Sequence, residues 1–120
     1  MSKRFLSASA TFLLCATALA QSESFTPLSQ DEAVAFIKGK KLNSVRLAGG
    51  NPSIQFLDDG RMYGNNGGSS DSGKWELKDG KLCMSWRRWD YEGCGSLVKG
   101  SDSKIRHMYP TGDTVHLVFN

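Results

Sequence analysis

The sequence predicts a mainly β protein: an antiparallel meander that forms a small barrel or half-barrel, with one N-terminal helix. Two observations favour the strands. Short runs of alternating apolar and polar residues fill the chain after residue 43, and clusters of Gly, Asn, Asp and Pro separate them. Two Asp-Gly pairs, at 59–60 and 79–80, are typical of tight hairpin turns. A third observation gives the helix, because only one segment, at 29–38, combines helical periodicity with a capping motif.

The first twenty residues predict export. Lys3 and Arg4 precede an apolar run that ends in the small-residue motif Ala18-Leu19-Ala20. The run is shorter than the roughly 20 apolar residues that a membrane-spanning helix needs. We therefore expect residues 1–20 to be a cleaved signal peptide and residues 21–120 to form one small β-rich domain. The expected location is the periplasm or the extracellular medium.

The charge balance argues against a nucleic-acid partner. The chain has 15 Lys and Arg against 12 Asp and Glu. Loss of Lys3 and Arg4 with the leader leaves 13 basic and 12 acidic side chains, and a nucleic-acid footprint requires a clustered basic face. No segment of the remaining chain predicts a membrane span.

The cysteine count predicts one disulfide. Cleavage removes Cys15 and leaves Cys83 and Cys94, which should pair in an oxidising compartment. A structural zinc site needs about four ligands, and neither cysteine has a neighbouring His or Cys. The sequence predicts no metal and no cofactor.

The predicted helix, at about 29–38, has start and stop signals. Ser29 and Glu32 fit the S-x-x-E capping box, and Asp31 adds negative charge near the N-terminus. Gly39 follows the last turn and can adopt the left-handed conformation that ends a helix. A helix this short must dock on other elements.

The rest of the chain predicts a meander of eight strands, lipocalin-like in outline. Asp59-Gly60 and Asp79-Gly80 predict two-residue turns, and the polar segment 65–73 (NNGGSSDSG) predicts a flexible surface loop. The expected strands are 44–48, 53–57, 61–63, 74–77, 81–86, 91–98, 105–109 and 114–119.

The central hairpins predict a single apolar face. A two-residue turn at Asp79-Gly80 and directly opposed cysteines place the disulfide on the side away from the core. The residues expected on the core face are Trp75, Leu77, Leu82, Met84, Trp86, Tyr91 and Leu97.

The succession of LSQDE, Gly39-Lys40-Lys41, FLDDGR, GKWELKDGKLCMSW and a second Cys resembles a family of short exported proteins from Gram-negative bacteria. That family is catalogued as a domain of unknown function. The likeness covers about residues 28–98. It implies an exported small β-domain and supplies no catalytic residues. The positions that carry it are Gly73, Trp75, Asp79, Gly80, Cys83 and Cys94.

The candidate binding surface is the hairpin tip between the two cysteines. Trp86, Arg87, Arg88, Trp89 and Tyr91 occupy a tip where short polar residues would suffice structurally. Aromatic rings stack on sugars and apolar groups, and guanidinium groups bind carboxylates or phosphates. We expect this tip to bind an unknown partner: an envelope polymer or other glycan, a small ligand, or a protein.

A structural interpretation of the same residues stays open. Trp86 and Tyr91 fall on the predicted core face and could cap one end of the barrel. The two arginines would then stack on the rings and pair with Asp90 and Glu92.

Two other functions also stay open. The sequence has no nucleophile elbow, zinc-protease motif or phosphate-binding loop, which favours a non-enzymatic protein. A small hydrolase or metal-dependent enzyme would use His107 or His116. A three-residue 111–113 loop would align His107 with Leu117, and alternation would send the two histidines to opposite faces. A secreted inhibitor of a foreign enzyme would instead use the tip as a plug.

Overall fold

The computed structural model describes residues 24–120, which form nine strands and one helix. The leader predicted at residues 1–20, with its cleavage site, lies outside the described residues. In chain order the elements are β1 (Phe25–Pro27), α1 (Gln30–Ile37), β2 (Lys41–Arg46), β3 (Ser53–Phe56), β4 (Arg61–Asn66), β5 (Ser69–Lys78), β6 (Lys81–Trp86), β7 (Glu92–Gly100), β8 (Ile105–Met108) and β9 (Val115–Phe119).

Strands β2 to β9 form a closed antiparallel barrel. Each strand pairs with the next along the chain, and β2 closes the barrel on β9, with Ser44 opposite Phe119. Strand β1 lies outside this ring and pairs with the end of β7. The predicted fold class is confirmed, and β1 is an element that the sequence did not predict.

Helix α1 is capped as predicted. The Ser29 hydroxyl accepts from the Glu32 N–H at 3.1 Å, and a Glu32 carboxylate oxygen accepts from the Ser29 N–H at 2.8 Å. Gly39 has φ +74°. The helix docks on the β5–β6 turn, because the Gln30 side chain accepts from the Gly80 N–H at 2.6 Å.

The two hairpins around the disulfide have the predicted register. Asp79 and Gly80 both have positive φ, and Leu77 pairs with Leu82 across them. Cys83 lies directly opposite Cys94, and the two sulfur atoms are bonded. All seven residues predicted for the core face belong to the core or pack against it.

The turn between β3 and β4 differs from the prediction. Phe56 pairs with Met62, which leaves a three-residue loop at 58–60 instead of a two-residue turn. The Asp59 carboxylate accepts from both the backbone N–H and the Nε of Arg61, at 3.1 and 2.7 Å. This local pairing favours the longer loop, in which Gly60 takes the left-handed position.

The prediction of a flexible loop at 65–73 is wrong. Strand β4 continues to Asn66, β5 begins at Ser69, and only Gly67-Gly68 connects them. Short polar side chains carry no hydrophobic alternation, but their backbone groups pair as well as those of any strand. The long β4–β5 hairpin therefore could not be predicted from the alternation of apolar and polar residues.

The core lies inside the barrel, beneath α1. Its fully buried members are Ala33, Ile37, Ile54, Phe56, Met62, Leu82, Met84, Leu97, Leu117 and Phe119. Within residues 24–120 there is no helix long and apolar enough to cross a membrane.

Candidate functional site: a cavity beneath the hairpin tip

The segment 86–91, here called the tip, folds back onto the start of β5. The carboxylate of Asp71 accepts from the backbone N–H groups of Arg88 and Trp89, at 2.7 and 2.9 Å. The Arg87 N–H donates to the Ser72 carbonyl at 2.9 Å. The tip is therefore docked on the barrel wall and does not project freely.

Asp71 is ionised in this position. Burial by itself favours its neutral form, but the N–H groups of Trp89 and Arg88, with the Arg88 guanidinium 3.6 Å away, outweigh burial and lower its pKa to about 2. The sequence interpretation that paired the tip arginines with Asp90 and Glu92 is wrong for Arg88, whose ion-pair partner is Asp71.

The two tryptophans of the tip pack on each other over a glycine. Their ring centroids are 4.7 Å apart at an interplanar angle of 50°. The Trp89 Nε1–H donates to the Ser69 hydroxyl at 3.1 Å. A Cβ atom at Gly64 would lie 2.7 Å from the Trp86 ring and 2.6 Å from the Trp89 ring. A side chain at residue 64 would therefore force the two indoles to move.

We expect Gly64→Ala to lower the free energy of unfolding by about 1–3 kcal/mol, the usual cost of overpacking, and to separate the two indoles. Chemical denaturation and near-ultraviolet circular dichroism measure these effects. Gly68→Ala is the matched control, because it lies in the same hairpin and nothing is within 4 Å of its new methyl group. Equal stability and equal spectra for the two variants would contradict the prediction.

The tip covers a cavity of about 240 Å³ at one end of the barrel, here called the tip cavity. Four of the five predicted site residues line it: Trp86, Arg88, Trp89 and Tyr91. Arg87 instead borders a separate depression on the outer wall. The remaining lining residues are Arg46, Pro52, Ile54, Asn66, Asp90, His116 and Leu117.

Arg46 is a site residue that the sequence reasoning missed. It is half-buried at the end of β2, on the same inward face as Leu42 and Ser44. No carboxylate of residues 24–120 lies within ion-pair distance of its guanidinium. The sequence signal that could have identified Arg46 is a charged residue at a strand position whose alternation predicts an inward-facing side chain.

The prediction that the two histidines face opposite sides of the sheet is wrong. His107 and His116 are both buried, with their Nδ1 atoms 3.1 Å apart. The register of β8 and β9 shifts after His107, which pairs with Leu117 as predicted. His116 is the extra residue of this β-bulge, so it turns inward beside Leu117 instead of alternating with it.

The hydrogen bonds of the pair determine both tautomers. His107 Nε2 lies 3.0 Å from the carbonyl of Leu82, which can only accept, so this nitrogen carries the proton. In the neutral ring, His107 Nδ1 is then the acceptor, and His116 Nδ1 must donate to it. His116 Nε2 is therefore an unprotonated acceptor, and it has no hydrogen-bond partner among residues 24–120.

Both imidazoles are held neutral. Burial lowers the pKa of His107 to about 4, although the hydrogen bond to Leu82 opposes the shift. Burial, followed by the proximity of His107 and Arg46, lowers the pKa of His116 to about 3. Neither ring carries a charge at neutral pH.

Tyr91 joins the tip to the histidine pair. Its ring stacks on His116 with centroids 4.1 Å apart and planes 9° from parallel. Its hydroxyl is buried and has no hydrogen-bond partner within the described chain. Burial, with a smaller effect of Tyr109, raises the Tyr91 pKa to about 12, so the hydroxyl is a neutral donor.

In the part of the chain that the structure describes, no group of three or more His, Cys, Asp or Glu side chains is arranged to hold a metal ion. The tip cavity is instead lined by aromatic rings, one neutral imidazole, two guanidinium groups and one carboxylate. Such a lining can bind a small polar molecule.

Comparison with known proteins adds no relative. The chain matches no protein-family model, no curated protein and no solved structure. The resemblance to the family of short exported proteins therefore stays a prediction from the sequence.

Proposed function

We propose that this protein is an exported, non-enzymatic binding domain that holds a small ligand, or one end of an envelope polymer, in the tip cavity. Export is supported by the leader-like N-terminus and by a disulfide, which persists in oxidising compartments. Binding is supported by the cavity itself, which brings four of the predicted tip residues together with Arg46 and His116.

The observation that carries the proposal is the set of polar groups left without partners around one small cavity. Most polar groups inside folded proteins are paired. In this lining the Tyr91 hydroxyl is buried without a partner, and the half-buried Arg46 guanidinium and the His116 Nε2 atom have no hydrogen-bond or ion-pair partner among residues 24–120. A bound ligand would satisfy them.

The same cavity fits a second candidate function less well. It contains both an imidazole and a carboxylate, His116 and Asp90, as a small hydrolase would require. A general base is most effective when its pKa lies near the working pH, and the pKa of His116 is about 3. The cavity thus contains both kinds of group, but His116, with a pKa of about 3, is too weak a base to favour catalysis.

A role as an enzyme inhibitor receives less support from the tip conformation. An inhibitory plug must enter a foreign active site. In this protein the backbone of Arg88 and Trp89 is bound to Asp71, and the Trp89 ring packs over Gly64. The conformation of the tip is therefore more consistent with binding a small ligand in the cavity than with inserting the tip into another enzyme.

The proposal is tested by nuclear magnetic resonance of ¹⁵N-labelled protein titrated with saccharide fragments of a bacterial envelope and with a small-molecule fragment library. We expect the shifted amides to cluster at Trp86, Trp89, Tyr91 and His116. The double variant Arg88→Gln/Trp89→Ala should lose at least about tenfold in affinity, as is usual for central aromatic and arginine contacts.

Arg87→Ala is the matched control, because this residue belongs to the tip but lies outside the cavity. It should bind as the wild type does. If the double variant folds normally and binds every identified ligand with unchanged affinity, the tip cavity is not the site. Equal losses of affinity in the double variant and in Arg87→Ala would indicate that the ligand binds on the outer surface of the tip.

A further inference from the structure

We infer that the ligand of the tip cavity is an acidic sugar: a six-membered sugar ring that carries one carboxylate. This inference rests on the proposed function and specifies its ligand class. It follows from the charge, the hydrogen-bonding capacity and the size of the cavity.

The charges of the lining select a carboxylate. The Arg46 guanidinium has no ion-pair partner among residues 24–120, whereas Arg88 is already bound by Asp71 and by the Ser70 carbonyl. An unpaired, half-buried guanidinium binds a carboxylate through two parallel hydrogen bonds. Asp90 adds a negative charge to the same lining and disfavours a second anionic group on the ligand.

The acceptors of the lining select hydroxyl groups. His116 Nε2 is an acceptor because its other nitrogen donates to His107, and it needs a donor from the ligand. That donor must be neutral, because Arg46 is close enough to lower the pKa of His116 and would repel an ammonium group there. A hydroxyl meets both conditions at this nitrogen, whereas an amino-acid ammonium group placed near Asp90 instead would leave the nitrogen without a donor.

The shape of the cavity selects a single ring. Its volume of about 240 Å³ is below the roughly 300–1,000 Å³ of pockets that hold drug-sized ligands. Trp86, Trp89 and Tyr91 give it broad aromatic walls, which pack well against the apolar face of a sugar ring. Aromatic acids without a hydroxyl group, such as benzoate, would fill the same space but bring no hydroxyl donor for His116.

The test is a set of titrations of the intact disulfide-bonded protein at pH 7, followed by tryptophan fluorescence, with D-glucuronate, D-glucose, benzoate and L-phenylalanine. We expect glucuronate to bind at least about tenfold more tightly than each of the other three, because only glucuronate offers both a carboxylate and hydroxyl donors. Arg46→Gln should reduce glucuronate affinity to that of glucose. Arg61→Gln, an exposed arginine paired with Asp59, should leave it unchanged.

Equal affinity for glucose and glucuronate would overturn the inferred carboxylate. Tighter binding of benzoate or phenylalanine than of glucuronate would contradict the inference that the ligand is a sugar. In either case, loss of binding in Arg88→Gln/Trp89→Ala would still support the proposed function, so the two failures can be told apart. Titration with the disaccharide β-D-glucuronosyl-(1→4)-D-glucose, which keeps a single carboxylate, distinguishes the sources: tighter binding than D-glucuronate indicates a polymer end, and equal binding indicates a free sugar acid.

Discussion

Acidification from pH 7 to pH 5 is expected to lower the free energy of unfolding by up to about 2 kcal/mol for each of the two histidines. The folded pKa values of His107 and His116, about 4 and about 3, lie below the ordinary value of 6.5. Between pH 6.5 and 4 the unfolded chain therefore binds more protons than the folded protein. The contribution of the two histidines to stability is therefore greatest above pH 6.5 and decreases as the pH falls.

Other charges near the pair do not change this direction. The hydroxyl of Tyr91, whose ring stacks on His116, is neutral in this range because its pKa is raised to about 12, and Arg46 is a cation that further disfavours protonation of His116. Urea unfolding at several pH values measures the stability, and histidine resonances report the two pKa values directly. Histidines that titrate near pH 6.5 in the folded protein, or a stability independent of pH from 7 to 5, would contradict the prediction.

Loss of the disulfide is expected to cost about 3 kcal/mol. Cys83 and Cys94 are 11 positions apart, and in the chain-entropy model closing a loop of this size restricts the unfolded chain by about that amount. The double variant Cys83→Ala/Cys94→Ala removes the bond without leaving a free thiol. Its free energy of unfolding should be lower than that of the wild type by this amount, measured by chemical denaturation.

Reduction provides the control for the double variant. Dithiothreitol should destabilise the wild type by a similar amount and leave Cys83→Ala/Cys94→Ala unaffected. Mass spectrometry of protein purified without reductant should find both cysteines bonded. Two free thiols in that sample, or equal stability of the variant and the wild type, would contradict the prediction.

Much of the barrel could be predicted from the sequence, because local signals determine local hairpins. Asp79-Gly80 gives the β5–β6 turn, and the two cysteines place β6 against β7. The three-residue strand β1 was missed, because Phe25–Pro27 carries no alternation and pairs with a strand about 70 residues further along the chain. The β4–β5 hairpin was missed because a backbone ladder needs no apolar side chains.

Only part of the candidate site could be predicted from the sequence. The aromatic and basic density of the tip is a local signal, and it identified Trp86 and Trp89. His116 and Arg46 join them only through the closed barrel, which brings β2 and β9 beside the tip. A β-bulge in β9 reversed the expected direction of His116, and nothing in the local sequence marks that bulge.

The closure of β2 on β9 also constrains the order of events during folding. Ser44–Arg46 pairs with Leu117–Phe119, more than 70 residues later in the chain. Closing so long a segment is entropically costly and slow compared with forming adjacent hairpins. Pairing of β2 with β9 should therefore follow formation of the adjacent hairpins, and until it occurs the unpaired edges of these two strands would be open to association with other chains.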